Sequence, residues 1–153
     1  MKKVGVISDT HGLLRPEALA ALQGSDFIIH AGDIGKQEII KSLSDIAPVT
    51  AVHGNVDKGA LKYLYQKDEV LKVEEAHLYV LHIKEELNLD PVAAEFQVVI
   101  TGHTHKPKIE EKSGVLYLNP GSAGPKRFTL PVTVATLVVE GERVTAEIVE
   151  LDV

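Results

Sequence analysis

The chain has 153 residues with 22 acidic against 16 basic side chains, a formal net charge of -6, and its length is that of one compact domain with a single core. An apolar content of 44% and a charged content of 25% are ordinary for a soluble globular protein and exclude a disordered chain. The acidic balance speaks against a basic nucleic-acid-binding surface but not against phosphate substrates, because bound divalent cations would dominate the field inside a site.

Without cysteine there is no disulfide, thiolate ligand or cysteine nucleophile. The apolar start breaks at Asp9, short of the roughly 7–15 residues of a signal-peptide core, and no stretch reaches the roughly 18 apolar residues of a membrane span. A cytoplasmic protein without membrane contact is expected, as a single domain over 1–153.

In chain order, Val4 to Ile7 is the first apolar run, followed by Ser8-Asp9-Thr10-His11-Gly12. Pro16 to Leu22 reads as a helix, with proline in the first turn where its missing N–H costs nothing. Phe27-Ile28-Ile29 leads to Gly32-Asp33, and Lys36 to Ile46 puts Ile39, Ile40, Leu43 and Ile46 on one helical face. Val49 to Val52 runs into His53-Gly54-Asn55. Val70 to Val73 and His77 to Leu81 read as neighbouring strands, the second ending at His82. Pro91 is expected to open a short helix. Val98-Val99-Ile100 leads into Gly102-His103-Thr104-His105, and Val115 to Leu118 precedes Asn119-Pro120-Gly121-Ser122. Val132 to Val139 and Arg143 to Leu151 flank Glu140-Gly141-Glu142, a hairpin signal. Strands mixed with helices early and strands alone late point to an α/β protein in which two mixed sheets pack together with helices outside.

Five apolar runs each stop at residues able to bind a metal: Asp9 and His11, Asp33, Asn55, His82, and His103 and His105. Parallel strands of a shared sheet would bring those ends to one edge, where sites of open α/β sheets form. Asp9 and His11 are two apart, as are His103 and His105, so in extended chain each pair would face one cluster. Gly12, Gly32, Gly54 and Gly102 flank them and permit tight turns and close backbone approach. Gly32-Asp33 and Gly54-Asn55 alone are weak, since Asp, Asn and Gly are common turn residues; Gly102-His103-Thr104-His105 is more specific, and the ordered set carries the weight. Two Asp, four His and one Asn exceed the three or four protein ligands of one catalytic zinc and suit two cations if a carboxylate, Asp33 most naturally, bridges both. Mixed imidazole and oxygen ligands fit manganese, iron or zinc better than magnesium or calcium. Two cations about 3.5–4 Å apart clamp a phosphate and acidify a bridging water. Of the other histidines, His30 lies inside an apolar run and is expected in the core or behind the ligands, His53 is left open, and His77 is expected to be exposed.

Asp9-Thr10-His11, Gly32-Asp33, Gly54-Asn55, His82 and Gly102-His103-Thr104-His105 resemble the ordered motifs of the calcineurin-like metallophosphoesterases. Asn119-Pro120-Gly121-Ser122, followed by Pro125-Lys126-Arg127, is similar to the short prokaryotic phosphodiesterase branch, and the likeness runs from Val4 to about Val139. The resemblance implies a four-layer α/β/β/α sandwich. It also implies one metal on Asp9, His11, Asp33 and His105 and a second on Asp33, Asn55, His82 and His103, commonly manganese, iron or zinc. Nickel is added here to the ions worth testing.

Two departures stand out. Where many members have a general-acid histidine, position 56 is Val56, followed by Asp57, so the leaving group would be protonated by Asp57, another histidine or water. His82 is followed by Ile83-Lys84-Glu85 rather than by Gly-His.

The leading expectation is a phosphodiesterase acting on a small phosphate ester, with metal-bridging hydroxide as nucleophile and Asp33, Asn55 and His103 at the reacting centre. Asn55 is also expected to donate its amide to the phosphate. Arg127, Lys106 and Lys126 are outer candidates that read more readily as a solvated basic loop. The alternatives are a phosphomonoesterase or nucleotide phosphatase, and a non-catalytic protein-binding scaffold of the kind a retromer subunit provides, in which ligand histidines should have eroded. No stable nucleic-acid complex is expected. The C-terminal strands leave a homodimer open.

Overall fold

A computed structural model describes residues 1–153. Its strands are β1 (Lys2–Ile7), β2 (Phe27–His30), β3 (Val49–Ala51), β4 (Asp68–Val73), β5 (Ala76–Leu81), β6 (Val98–Ile100), β7 (Lys108–Lys112), β8 (Val115–Asn119), β9 (Thr133–Glu140) and β10 (Arg143–Glu150). Its helices are α1 (Pro16–Leu22), α2 (Gln37–Ser44) and α3 (Ala60–Leu64).

The strands form two mixed five-stranded sheets, ordered β10-β9-β1-β2-β3 and β4-β5-β6-β8-β7. Each has three adjacent parallel strands, β1-β2-β3 at one end of the first sheet and β5-β6-β8 as the parallel centre of the second, and the remaining strands are antiparallel. The sheets face each other across one buried cluster, where Val6, Ile29 and Leu137 of the first share the space with Leu78, Ile100 and Leu118 of the second. That burial is the main force joining the layers, at roughly 25 cal/mol per Å² of apolar surface.

Helices α1 and α2 cover the outside of the first sheet through Ala18, Leu22, Ile39, Ile40 and Leu43 against Ile7, Ile28 and Val134. Gly5 permits the close approach of α1, since a Cβ there would lie 2.6 Å from the Leu22 side chain. The outer face of the second sheet, Tyr79, Leu81, Val99 and Val115, is covered more thinly, by Leu87, Leu89 and Phe96 of the following loop. That loop holds a single 3-10 turn at Lys84–Glu86. The two-sheet sandwich and its outer helices are as expected, although the fourth layer is loop and 3-10 turn in place of an α-helix.

Two local expectations need correction, and two elements were not foreseen. Pro91 opens one turn and no helix: Asp90 Oδ1 accepts from the Val92 and Ala93 N–H groups at 3.0 and 3.4 Å, and Glu95 then takes φ 63° and ends it. His77 is half-buried, one residue inside β5 and paired with Lys72. The elements α3 and β7 have no counterpart in the apolar pattern. Leu61 is the one buried residue of α3, and β7 is Lys-Ile-Glu-Glu-Lys at a sheet edge, where charge guards against further pairing.

Candidate metal centre

The ligand-bearing loops all follow strands of the two parallel sets. Asp9 and His11 come after β1, Asp33 after β2, Asn55 after β3, His82 after β5, and His103 and His105 after β6. Backbone bonds zip the loops together, with Asp9 N–H to Gly32 O at 3.0 Å, His11 N–H to Asp33 O at 2.9 Å and Gly102 N–H to His82 O at 2.9 Å.

Two groups result. The ligand atoms of Asp9, His11 and His105 lie within 4.8 Å of one another, as do those of Asp33, His82 and His103. The carboxylates join the groups: Asp33 Oδ2 is 3.7 Å from His11 Nε2 and 3.1 Å from His82 Nε2. Asp9 Oδ1 is 3.4 Å from His105 Nε2 and 3.8 Å from both His11 Nε2 and His82 Nε2. Asn55 borders the second group through its Oδ1, 3.2 Å from His103 Nδ1. All seven expected ligands therefore meet at one edge.

Their backbone does not match the extended pairing expected from the sequence. Asp9, His11, Asp33, His103 and His105 have φ of 55°, 47°, 55°, 75° and 64°, a left-handed conformation that non-glycine residues seldom hold and that collects at functional sites. The turns place His103 and His105 in different groups. Close packing explains the adjacent glycines. A Cβ on Gly54 would overlap Asp33 Oδ1, and one on Gly102 would overlap the Ser8 hydroxyl.

Each carboxylate has one oxygen held and one left free. Asp9 Oδ2 accepts from the Ser8 hydroxyl at 2.7 Å and the His103 N–H at 3.1 Å, while buried Oδ1 has no hydrogen-bond partner. Asp33 Oδ1 accepts from the Val56 N–H at 3.1 Å, leaving Oδ2 toward the histidines. His82 donates from Nδ1 to the Ala31 carbonyl at 2.7 Å, which orients the ring and leaves buried Nε2 unpartnered. Carboxylates and imidazoles held from behind, with free atoms converging on shared space, are the chemistry of a cation site, so the residues fit divalent metals.

The protonation balance has the same sense. Burial works to raise the Asp33 carboxyl, but the imidazole of His82 facing it outweighs this and holds the group below its ordinary range. Burial works to lower His82, but the facing Asp33 carboxylate and the charge of Asp9 raise it above its ordinary value. The site favours positive charge where a cation would bring it.

Behind the ligands lie groups that sequence reasoning placed only loosely. His30 is fully buried, as expected, and burial lowers its pKa from 6.5 to about 4. Asp57 was one candidate acid for the leaving group. Its oxygens instead accept the Ile34, Gly35 and Gly54 N–H groups at 3.1, 3.0 and 2.8 Å. It is 4% exposed, and it ties the loop after Asp33 to the loop bearing Asn55. Asn119 donates to Gly102 O at 2.9 Å and to Thr104 Oγ1 at 3.1 Å, bracing the loop of His103 and His105. Asp57 and Asn119 act on backbone far along the chain, Ser8 on the Asp9 carboxylate beside it, and no local spacing marks them. Arg127 and Lys126 are exposed on the loop after Gly124, and Lys106 is exposed beyond His105; none joins the ligand groups.

A two-sheet sandwich whose parallel strands end in pooled carboxylates and imidazoles defines a protein of the metallophosphoesterase class. Residues 1–142 match the calcineurin-like phosphoesterase superfamily domain, and the chain belongs to that family. It is 34% identical over 160 residues to a probable metallophosphoesterase of Methanothermobacter thermautotrophicus, covering 95% of this chain and 91% of that one. A solved archaeal phosphodiesterase superposes with a TM-score of 0.78 at 25% identity, over 96% of this chain and 99% of that one. The Vps29 of Entamoeba histolytica, solved in complex with zinc, superposes with a TM-score of 0.75 at 24% identity, over 97% and 98%. This last likeness concerns the fold. No helix is long and apolar enough to cross a membrane.

Proposed function

We propose that this chain is a phosphodiesterase that works with two divalent cations, one held by Asp9, His11, Asp33 and His105 and the other by Asp33, Asn55, His82 and His103. The observation that carries the reading is the pair of unpartnered buried atoms, Asp9 Oδ1 and His82 Nε2. Each belongs to a side chain whose other polar atom is anchored. Divalent cations bound there supply charge for the phosphoryl oxygens and a water acidic enough to ionise near neutral pH.

The chain's own part is positioning. Asp33 and Asp9 span both groups. Exposed Asn55 stands at the opening with its amide beside His103, within reach of a phosphoryl oxygen. Asp57 is excluded as proton donor by its three backbone partners, and Val56 offers none. The proton for the leaving group then comes from another histidine or from solvent.

The scaffold reading draws on the likeness to Vps29. It gives no reason for metal-competent side chains at all seven positions, five of them in the costly left-handed conformation. The test is to strip the protein with chelator, restore manganese, iron, zinc or nickel in turn, and assay bis(p-nitrophenyl) phosphate beside p-nitrophenyl phosphate. Manganese-dependent diester turnover with a slower monoester is expected. A faster monoester would favour the phosphatase reading, and no turnover of either with any ion would favour the scaffold.

A further inference from the structure

Beside Asn55 lies an open cavity of about 270 Å³ that shares Asn55 and His82 with the metal centre and is walled by His53, Lys62, Lys67 and Glu86. We propose that this cavity receives one arm of the diester, and that the arm is a sugar carrying a second phosphate. The inference rests on the phosphodiesterase reading and names the substrate class that its site would select.

Charge is the first reason. In a chain of net charge -6, the cavity wall carries Lys62 and Lys67 against two acids, Glu86 and the buried Asp57. Both Asp57 oxygens are already taken by backbone N–H groups. The two lysines in the wall therefore face the cavity with only one carboxylate among its exposed groups, Glu86, 3.3 Å from Lys67. An anion entering there meets an ammonium group, Lys62, that is exposed and ready to turn toward it.

His53 supplies the second reason. Its backbone N–H is bonded to Gln66 O at 2.9 Å, and its ring Nδ1 lies 2.8 Å from the Tyr65 carbonyl, an acceptor, so Nδ1 donates. In the neutral ring that leaves Nε2 as an acceptor, the partner a sugar hydroxyl needs and a bare phosphate does not. Donors for an anion and an acceptor for a hydroxyl, adjoining a phosphate-ester centre, describe a phosphorylated sugar arm. The comparable cleft of about 280 Å³ on the outer face of the second sheet, walled by Lys84, Lys106 and Tyr117, reaches none of the metal ligands.

The experiment compares uridine 3′,5′-bisphosphate with uridine 3′-monophosphate by titration calorimetry on manganese-treated protein, for wild type, Lys62→Gln and Lys67→Gln. Tighter binding of the bisphosphate by about tenfold, with that preference lost in the variants, is the expected result. Equal affinity for the two nucleotides, a preference the variants retain, or no binding of either overturns the proposal. Cleavage of the dinucleotide UpU, with and without a 5′-phosphate, is followed in parallel. If neither is cut while the binding preference holds, the catalytic reading fails and the pocket stands.

Discussion

His30 and Thr10 join two ligand loops through one buried hydrogen bond, His30 Nε2 to Thr10 Oγ1 at 2.9 Å. The direction follows from the neighbours. Gly32 N–H donates to His30 Nδ1 at 3.1 Å, so in the neutral ring Nε2 carries the proton and donates to Thr10, whose hydroxyl donates onward to Ile34 O at 2.8 Å. The partners are the residue between Asp9 and His11 and the two residues flanking Asp33. A neutral imidazole in one tautomer thus fixes the spacing of the first two motifs.

That arrangement sets a pH dependence of stability. Burial lowers the His30 pKa to about 4, against an ordinary 6.5, so between those values the unfolded chain binds a proton that the folded protein refuses. The folded state loses stability as pH falls from about 6.5 to about 4, by about 3 kcal/mol in full, and gains nothing further from this group above that window. Urea unfolding of chelator-treated wild type and His30→Gln at pH 7 and pH 4.5 measures it. The stability gap between the two proteins should shrink by most of that amount at the lower pH. A gap independent of pH would mean that His30 is not kept neutral by the fold.

Asp57 should matter for stability and ion binding rather than for proton transfer. Asp57→Ala leaves the Ile34, Gly35 and Gly54 N–H groups without their acceptor, at a cost of roughly 3 kcal/mol or more for buried groups that lose a charged partner. Thermal melting should show the loss, and calorimetric titration with manganese should show weaker binding, because the loops of Asp33 and Asn55 are no longer tied. A variant that melts normally and binds manganese normally, yet cleaves the diester poorly, would restore Asp57 as a proton donor.

Much of this was legible in the sequence for a simple reason. Parallel strands buried on both faces read as unbroken apolar runs, and a ligand at the end of each run shows as the first polar residue that loop chemistry does not require. Val4 to Ile7 before Asp9 and Val98 to Ile100 before Gly102-His103 are such cases. What stayed hidden lacks that contrast. Strand β7 is almost entirely charged because an edge needs no apolar face, and α3 buries a single leucine. The residues holding the ligands from behind work through backbone atoms 17 to 23 positions away, as in Asn119 to Gly102 and Asp57 to Ile34. The left-handed turns at Asp9, His11, His103 and His105 are not marked by local spacing, which by itself does not say which histidines share a group.

Gly54→Ala tests whether close approach at Asp33 is required. The added Cβ would overlap Asp33 Oδ1 and its backbone nitrogen, so Asp33 must move, and overpacking of this kind costs about 1–3 kcal/mol. The melting temperature should fall by several degrees, and manganese affinity should drop at least about tenfold. Unchanged manganese affinity would show that Asp33 is not placed by this contact.

The seven ligands differ in burial, and that difference separates ion binding from folding. His103 is exposed and its removal opens no cavity, whereas His82 is 4% exposed and hydrogen-bonded to Ala31 O at 2.7 Å. His103→Ala should therefore melt like wild type in chelator yet lose the stabilisation that manganese confers, because an ion that binds only the folded state raises its stability according to affinity, and diester turnover should vanish with it. His82→Ala should lose both that increment and stability in chelator, since it strands a buried carbonyl beside a new void. Retention of the manganese-dependent melting shift and of activity by His103→Ala would remove His103 from the second metal position. The likeness of the two variants in turnover and their difference in chelator melting is the signature that assigns both histidines to the ion and only one of them to the core.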